Sequence, residues 1–151
     1  MMKKAQPCAT DMNIESIAVL GAGQMGNGIT QVAACAGYNV VMIDIKQEYV
    51  ERGMDSIEKS LAKLVSKERM TQEDANASLA RISTAITRQA AADVDLVIEA
   101  IPEIPDLKFS TFAELDEICK SSTILASNTS SISIDAIASH TKRPSQVIGM
   151  H

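Results

Sequence analysis

The chain has 151 residues, the length of one domain, and its 46% hydrophobic and 22% charged residues exclude a disordered polymer and lead us to expect a single folded core. With 14 basic against 19 acidic residues the net charge is −5, which excludes nucleic-acid binding as the main task because neutralising phosphates requires a basic face. Aromatic residues at 3% leave no stacking platform for single strands. No apolar run reaches the ~18 residues that cross a membrane, and Met1 to Lys4 are followed by no apolar h-region. Cys8, Cys35 and Cys119 are odd in number and widely spaced, with no C-x-x-C pair or Cys/His cluster. A disulfide scaffold and a metal site are therefore not expected, and the chain reads as cytoplasmic with reduced thiols.

Residues 1–13 are polar, contain Pro7 and lack periodicity, so they read as a loose leader; residues 14–151 read as one domain. Ile14 to Leu20 is a short apolar run, as expected of a strand covered on both faces. Met25, Ile29, Val32, Ala33 and Ala36 recur at helical spacing, and Gly37 stops that helix. Asn39 to Ile43 is a second strand ending at Asp44. Val50, Met54, Ile57, Leu61 and Leu64 place one apolar stripe on a long helix. Thr71 then reads as the N-cap of a shorter helix with acids in its first turn, running through Leu79. Ile82 to Ile86 is a weak strand, and Val94 to Ile101 is a strong one punctuated by Pro102 and Pro105. Phe112, Leu115, Ile118 and Cys119 form a helical face. Thr123 to Ala126 is a strand, Ile134, Ile137 and Ala138 mark a short helix, and Val147 to Met150 is a last strand. Strand–helix alternation with continuous apolar strands predicts an α/β fold, a doubly wound Rossmann-type, mainly parallel sheet with helices on both faces.

Gly21-Ala22-Gly23-Gln24-Met25-Gly26 lies between the first strand and the first helix. Gly21 permits a tight turn, Gly23 lets backbone approach a pyrophosphate, and Gly26 lets helix and strand pack closely. Bare N–H groups at the helix start and the helix dipole attract the phosphates. Asp44 ends the next strand 23 residues after Gly21, close to the ~20 expected for the acid that accepts the ribose hydroxyls. Its charge would repel a 2′-phosphate, which favours NAD over NADP. It can equally cap the turn that follows, and both roles are compatible. Lys46, two residues on, tempers the cofactor preference.

Gly21-Ala-Gly-Gln-Met-Gly-Asn-Gly28, Ile98-Glu-Ala-Ile-Pro-Glu103, Ser127-Asn-Thr-Ser-Ser131 and Gly149-Met-His151 follow one another in that order. On these motifs the chain, from Ile14 to His151, resembles the NAD-binding domain of the 3-hydroxyacyl-CoA dehydrogenases. The resemblance implies NAD as cofactor and an acyl-CoA as substrate. Glu103 and Lys108 would contact the cofactor on its ribose side, toward the nicotinamide. Read from the residues alone, they are a solvated pair at a helix start. Ser130 would lie between nicotinamide and the substrate 3-oxygen, with Asn128 an orienting neighbour, whereas the hydroxyls of 129–131 read locally are helix caps, Ser131 among them. His151 would be the proton-transfer group, general base for oxidation and acid for reduction. Ser60 and Lys67 on the long helix fall where the family meets CoA; locally, Lys67 is an exposed helix residue. Glu99, an acid inside an apolar strand, needs a partner whichever role it has. His140 near a helix end is expected to meet helix carbonyls.

In the family the histidine motif continues into residues that include a glutamate orienting the histidine, and then into a helical domain that shapes the acyl pocket and forms a homodimer. Here the residues end at His151, so the expectation is the first half of a longer enzyme, binding NAD weakly and not turning over by itself, with a final strand prone to self-association. The family resemblance implies reversible oxidation of an (S)-3-hydroxyacyl-CoA to the 3-ketoacyl-CoA. A dehydrogenase of another 3-hydroxy acid, or a non-catalytic nucleotide-binding relative, is the alternative.

Overall fold

The computed structural model describes residues 12–151; the leader expected over residues 1–13 falls almost wholly outside them. Six strands form one all-parallel sheet: β1 (Ser16–Leu20), β2 (Asn39–Ile43), β3 (Ile82–Ala85), β4 (Leu96–Glu99), β5 (Ile124–Ser127) and β6 (Val147–Gly149). Their spatial order is β3-β2-β1-β4-β5-β6. The connections are α1 (Gln24–Cys35), α2 (Gln47–Ser66), α3 (Gln72–Ala80), α4 (Pro105–Ile118) and α5 (Ile134–Ala138).

Alternate strand residues face opposite layers, which is why the central strands read as largely apolar. Ala18, Leu20, Ile43, Val97, Leu125 and Val147 pack against Phe112, Leu115 and Ile137 of α4 and α5. On the other face, Ile17, Val19, Val40, Leu96, Ile98 and Ala126 meet Ala33 and Ala34 of α1. A third cluster joins Met42 to the α2 stripe of Val50, Ile57 and Leu61, and to Ala75 of α3. Helices therefore cover both faces, as the alternation predicts.

Boundaries shift where tertiary bonding competes with apolar content. The apolar run at 94–101 pairs as a strand only over Leu96–Glu99, because Val94 N–H turns back to Ala91 O and the chain leaves the sheet at Pro102. Pro105 opens α4 at its first turn, where a missing N–H costs nothing. Thr71 is the N-cap of α3, its hydroxyl accepting from Asp74 N–H at 3.0 Å. Gly37, at φ +102°, follows the end of α1. The α2 helix ends at Ser66, so Lys67 is its C-cap rather than a residue within it. Two 3₁₀ turns, Arg88–Ala91 and Pro144–Gln146, are too short for periodicity to reveal.

A buried acid inside β4 would be costly alone; Glu99 is paired with buried Lys108 instead. Arg143 closes the carboxyl end of α4: it pairs with Asp116 and donates to the Asp116, Cys119, Lys120 and Thr123 carbonyls. Its charge and the Lys142 N–H outweigh burial and hold the Asp116 carboxyl below its ordinary range. Cys35 and Cys119 are free thiols; burial pushes the Cys119 thiol up. No helix among the described residues is long and apolar enough to cross a membrane.

Candidate active site

The strand order reverses direction between β1 and β4, and the carboxyl ends of these neighbours open a crevice where ligands bind in such sheets. The glycine loop forms one wall. Gly21 has φ +103°, and a Cβ there would sit 2.5 Å from Ala100 O, so only glycine lets β1 turn beside β4. A Cβ on Gly26 would lie 1.7 Å from Gly21 O, which enforces the contact between helix and turn. Gly23 differs: its missing Cβ faces open space, leaving a bare cradle at the N-cap of α1, where no side chain caps the first turn. Those free amide donors and the dipole suit a diphosphate. The residues present therefore fit a dinucleotide.

Asp44, just after β2, caps the turn that follows and stays open to the cleft. Its Oδ2 accepts from Ala22 N–H at 2.8 Å and its Oδ1 from Ile45 N–H at 2.7 Å. The carboxylate thus braces the glycine loop, caps the next turn and still lines the cleft. A carboxylate has roughly four acceptor positions, so two remain for ribose hydroxyls. Lys46 lies over the Tyr49 ring at 5.5 Å.

The cleft measures about 850 Å³ and brings together Gly21, Gly23, Gln24, Met25 and Asp44 with Glu103, Lys108, Asn128, Ser130 and His151. Ala22 and Gly26 stand behind its wall, Ala22 facing a groove of about 490 Å³ between α1 and α2. Ser60 and Lys67 line neither; Ser60 lies one turn beyond Ser56, which does line that smaller groove. A third, mainly apolar groove of about 710 Å³ runs beside α1 past Ile29 and Val32 and shares Gln24, Met25, Asn128 and His151 with the cleft. His151 thus stands where the cleft and the apolar groove meet.

Glu103 and Lys108 are not a solvated pair. Lys108 is 1% exposed, and its Nζ contacts Glu99 Oε2 at 2.6 Å, Glu103 Oε1 at 2.7 Å and Ile101 O at 3.3 Å. Glu103, by contrast, is 43% exposed at its side chain. Its Oε2 accepts from the Thr129 hydroxyl at 2.7 Å and the Ser131 hydroxyl at 2.8 Å. The Lys108 ammonium, assisted by these hydroxyls, holds the Glu103 carboxyl down at about 2 against an ordinary 4.5.

Ser131 is not the helix cap expected of it. Ser133 caps α5, accepting from Ala136 N–H at 3.3 Å, while Ser131 is drawn to Glu103. The helix opens at Ile134, which puts Ser133 at the N-cap position, and the Ser131 O–H donates instead to a carboxylate from the loop after β4. His140 meets the Ala136 carbonyl at 2.8 Å through Nδ1, as its place near a helix end predicts, and its ring stacks on Phe109 at 4.2 Å. Ile45, Tyr49, Arg88 and Leu107 also line the cleft; no sequence signal singled them out.

The motif order, the cleft and the sheet topology agree with comparison to known proteins. The family model for the 3-hydroxyacyl-CoA dehydrogenase NAD-binding domain matches residues 16–151. A 3-hydroxybutyryl-CoA dehydrogenase of Bradyrhizobium diazoefficiens is 45% identical over 138 residues, which are 91% of this chain and 47% of that protein. The (S)-3-hydroxybutyryl-CoA dehydrogenase PaaH1 from Ralstonia eutropha superposes with a TM-score of 0.90 at 42% identity, over 92% of this chain and 49% of that one. A 3-hydroxybutyryl-CoA dehydrogenase structure from Escherichia coli K12 gives 0.90 at 42% identity, over 92% of this chain and 29% of that one. The chain spans about half the length of these curated relatives it matches. With its sheet order, its glycine loop and Asp44, this chain belongs to the 3-hydroxyacyl-CoA dehydrogenase family as its NAD-binding domain.

Proposed function

We propose that the chain is the cofactor-binding part of an enzyme that reversibly oxidises an (S)-3-hydroxyacyl-CoA, such as 3-hydroxybutyryl-CoA, to the 3-ketoacyl-CoA. The single observation that carries this reading is the convergence of the glycine loop, Asp44, Glu103, Ser130 and His151 on one cleft, with an apolar groove leading away from His151. NAD would supply the hydride acceptor at its nicotinamide. The first-turn amides of α1 hold the diphosphate and Asp44 the adenosine ribose. Glu103 keeps one acceptor position after its bonds to Lys108, Thr129 and Ser131, and offers it to the second ribose; Lys108 acts by holding that carboxylate in place.

Ser130 and Asn128 orient the 3-oxygen. The His151 imidazole takes the hydroxyl proton in oxidation and returns it in reduction. The apolar groove past Ile29 and Val32 receives the acyl portion. Ser60 and Lys67, along α2 beyond Ser56, are the proposed contacts of the CoA moiety, with a cation matched to a phosphate. We place the working enzyme in the cytoplasm, as a homodimer formed outside this domain. Calorimetric titration of the chain with NADH and with NADPH tests the cofactor assignment: heat with NADH, and at least tenfold weaker binding of NADPH, are expected from the Asp44 charge. No heat with NADH rejects it. In the enzyme carrying this domain, His151→Ala lowers acetoacetyl-CoA-dependent NADH oxidation by about 10²–10⁴-fold; an unchanged rate removes the proton role.

A further inference from the structure

The proposed chemistry leaves Glu99 without a task, although it is 0% exposed and its carboxylate accepts three hydrogen bonds. Its Oε2 accepts from Lys108 Nζ at 2.6 Å and from Ile101 N–H at 2.9 Å. Its Oε1 accepts from the Ser127 hydroxyl at 2.6 Å. The Ser127 oxygen in turn accepts from Thr129 N–H at 3.2 Å, and the Thr129 hydroxyl donates to Glu103, which returns to Lys108. The bonds close a ring: Glu99, Ser127, Thr129, Glu103, Lys108 and back to Glu99.

Each link contributes to one outcome at the loop after β5. Lysine has three donors and no acceptor, and all three ammonium protons of Lys108 are engaged within the protein. Thr129 Oγ1 also accepts from Ser131 and Ile132 N–H at 3.3 and 3.0 Å. Ser130 is therefore bracketed by two residues whose hydroxyls are both clamped on Glu103, and it stays exposed to the cleft. No buried side-chain nitrogen or oxygen among the described residues lacks a partner, so the ring is fully satisfied, the condition under which a buried polar network specifies one geometry.

We propose that Glu99 is a positioning residue: through Ser127 and Lys108 it sets both the 128–132 loop that presents Ser130 and the carboxylate of Glu103. It touches neither cofactor nor substrate. This rests on the reading above only in giving Ser130 a role; the order of the loop is measurable with no cofactor present.

The test compares amide hydrogen exchange in the chain and its Glu99→Gln and Ser127→Ala variants, with NADH binding followed by fluorescence. Loss of one charge-assisted bond is expected to accelerate exchange at Thr129, Ser131 and Ile132 by about tenfold. Exchange at Val19 and Leu20 in the centre of the sheet should stay unchanged, and the NADH dissociation constant should rise by about tenfold. Ser127→Ala cuts the ring while leaving the Glu99–Lys108 pair whole, and it decides the matter should Glu99→Gln not fold. Unchanged exchange at 129–132, or acceleration no greater than at Val19 and Leu20, overturns the proposal. Failure of the unmodified chain to bind NADH would overturn the cofactor assignment alone, and the exchange pattern would still decide the ring.

Discussion

At Glu103, one carboxylate links proton chemistry to the architecture of the cleft. Its folded pKa near 2 lies below the ordinary 4.5, so in the unfolded chain it binds a proton more readily than in the folded one. Its contribution to stability is therefore complete above about 4.5 and is lost as pH falls from there through 2. In thermal unfolding followed at steps through this window, Glu103→Gln is expected to lose less stability than the unmodified chain between 4.5 and 2. Parallel losses would remove Glu103 from the acid response. Asp95, lowered by Lys120 and by the N–H groups of Glu15 and Ser16, acts in the same direction in both proteins, so the difference between them isolates Glu103. The need for a partner at Glu99 was readable from its place in an apolar strand; the identity of the partner was not, because Lys108 stands at the first turn of a helix, where a solvated side chain is the ordinary outcome.

Among the elements, the caps show where local chemistry suffices and where it fails. Thr71 precedes acids at first-turn positions, and it caps α3 as its sequence predicts. Thr71→Ala is expected to lower stability by about 1 kcal/mol, measured by urea denaturation; a change near zero would deny the cap any weight. A cluster of hydroxyls from Thr129 to Ser133 precedes α5; Ser133 caps it because the helix opens at Ile134, and the Ser131 hydroxyl donates to Glu103, 28 residues earlier. Strand limits follow the same logic. The run of 94–101 is mostly apolar, yet only the part with both neighbours in register pairs as strand.

For the whole molecule, the sheet order places β6 at one edge of the described sheet. Ile148 and Met150 are 41% and 45% exposed there. An edge with unpaired N–H and C=O groups and apolar side chains favours pairing with another copy. Light scattering at rising concentration should show self-association, and Ile148→Lys should suppress it; a monodisperse monomer throughout would refute the effect.

The order of strands and helices, the parallel character of the sheet, the turn at Gly21 and the acid at Asp44 were determined by the sequence itself. Each depends on local stereochemistry: side-chain period, the freedom of glycine at φ +103°, and an acid at the end of the following strand. Only the tertiary structure decided that Glu99 faces Ser127 across neighbouring strands, that Lys108 turns inward between two carboxylates, and that the Ser131 hydroxyl donates to Glu103. Those choices join residues 9 to 28 positions apart. Their energies depend on burial and charge pairing, quantities that exist only once the sheet register has brought the partners together.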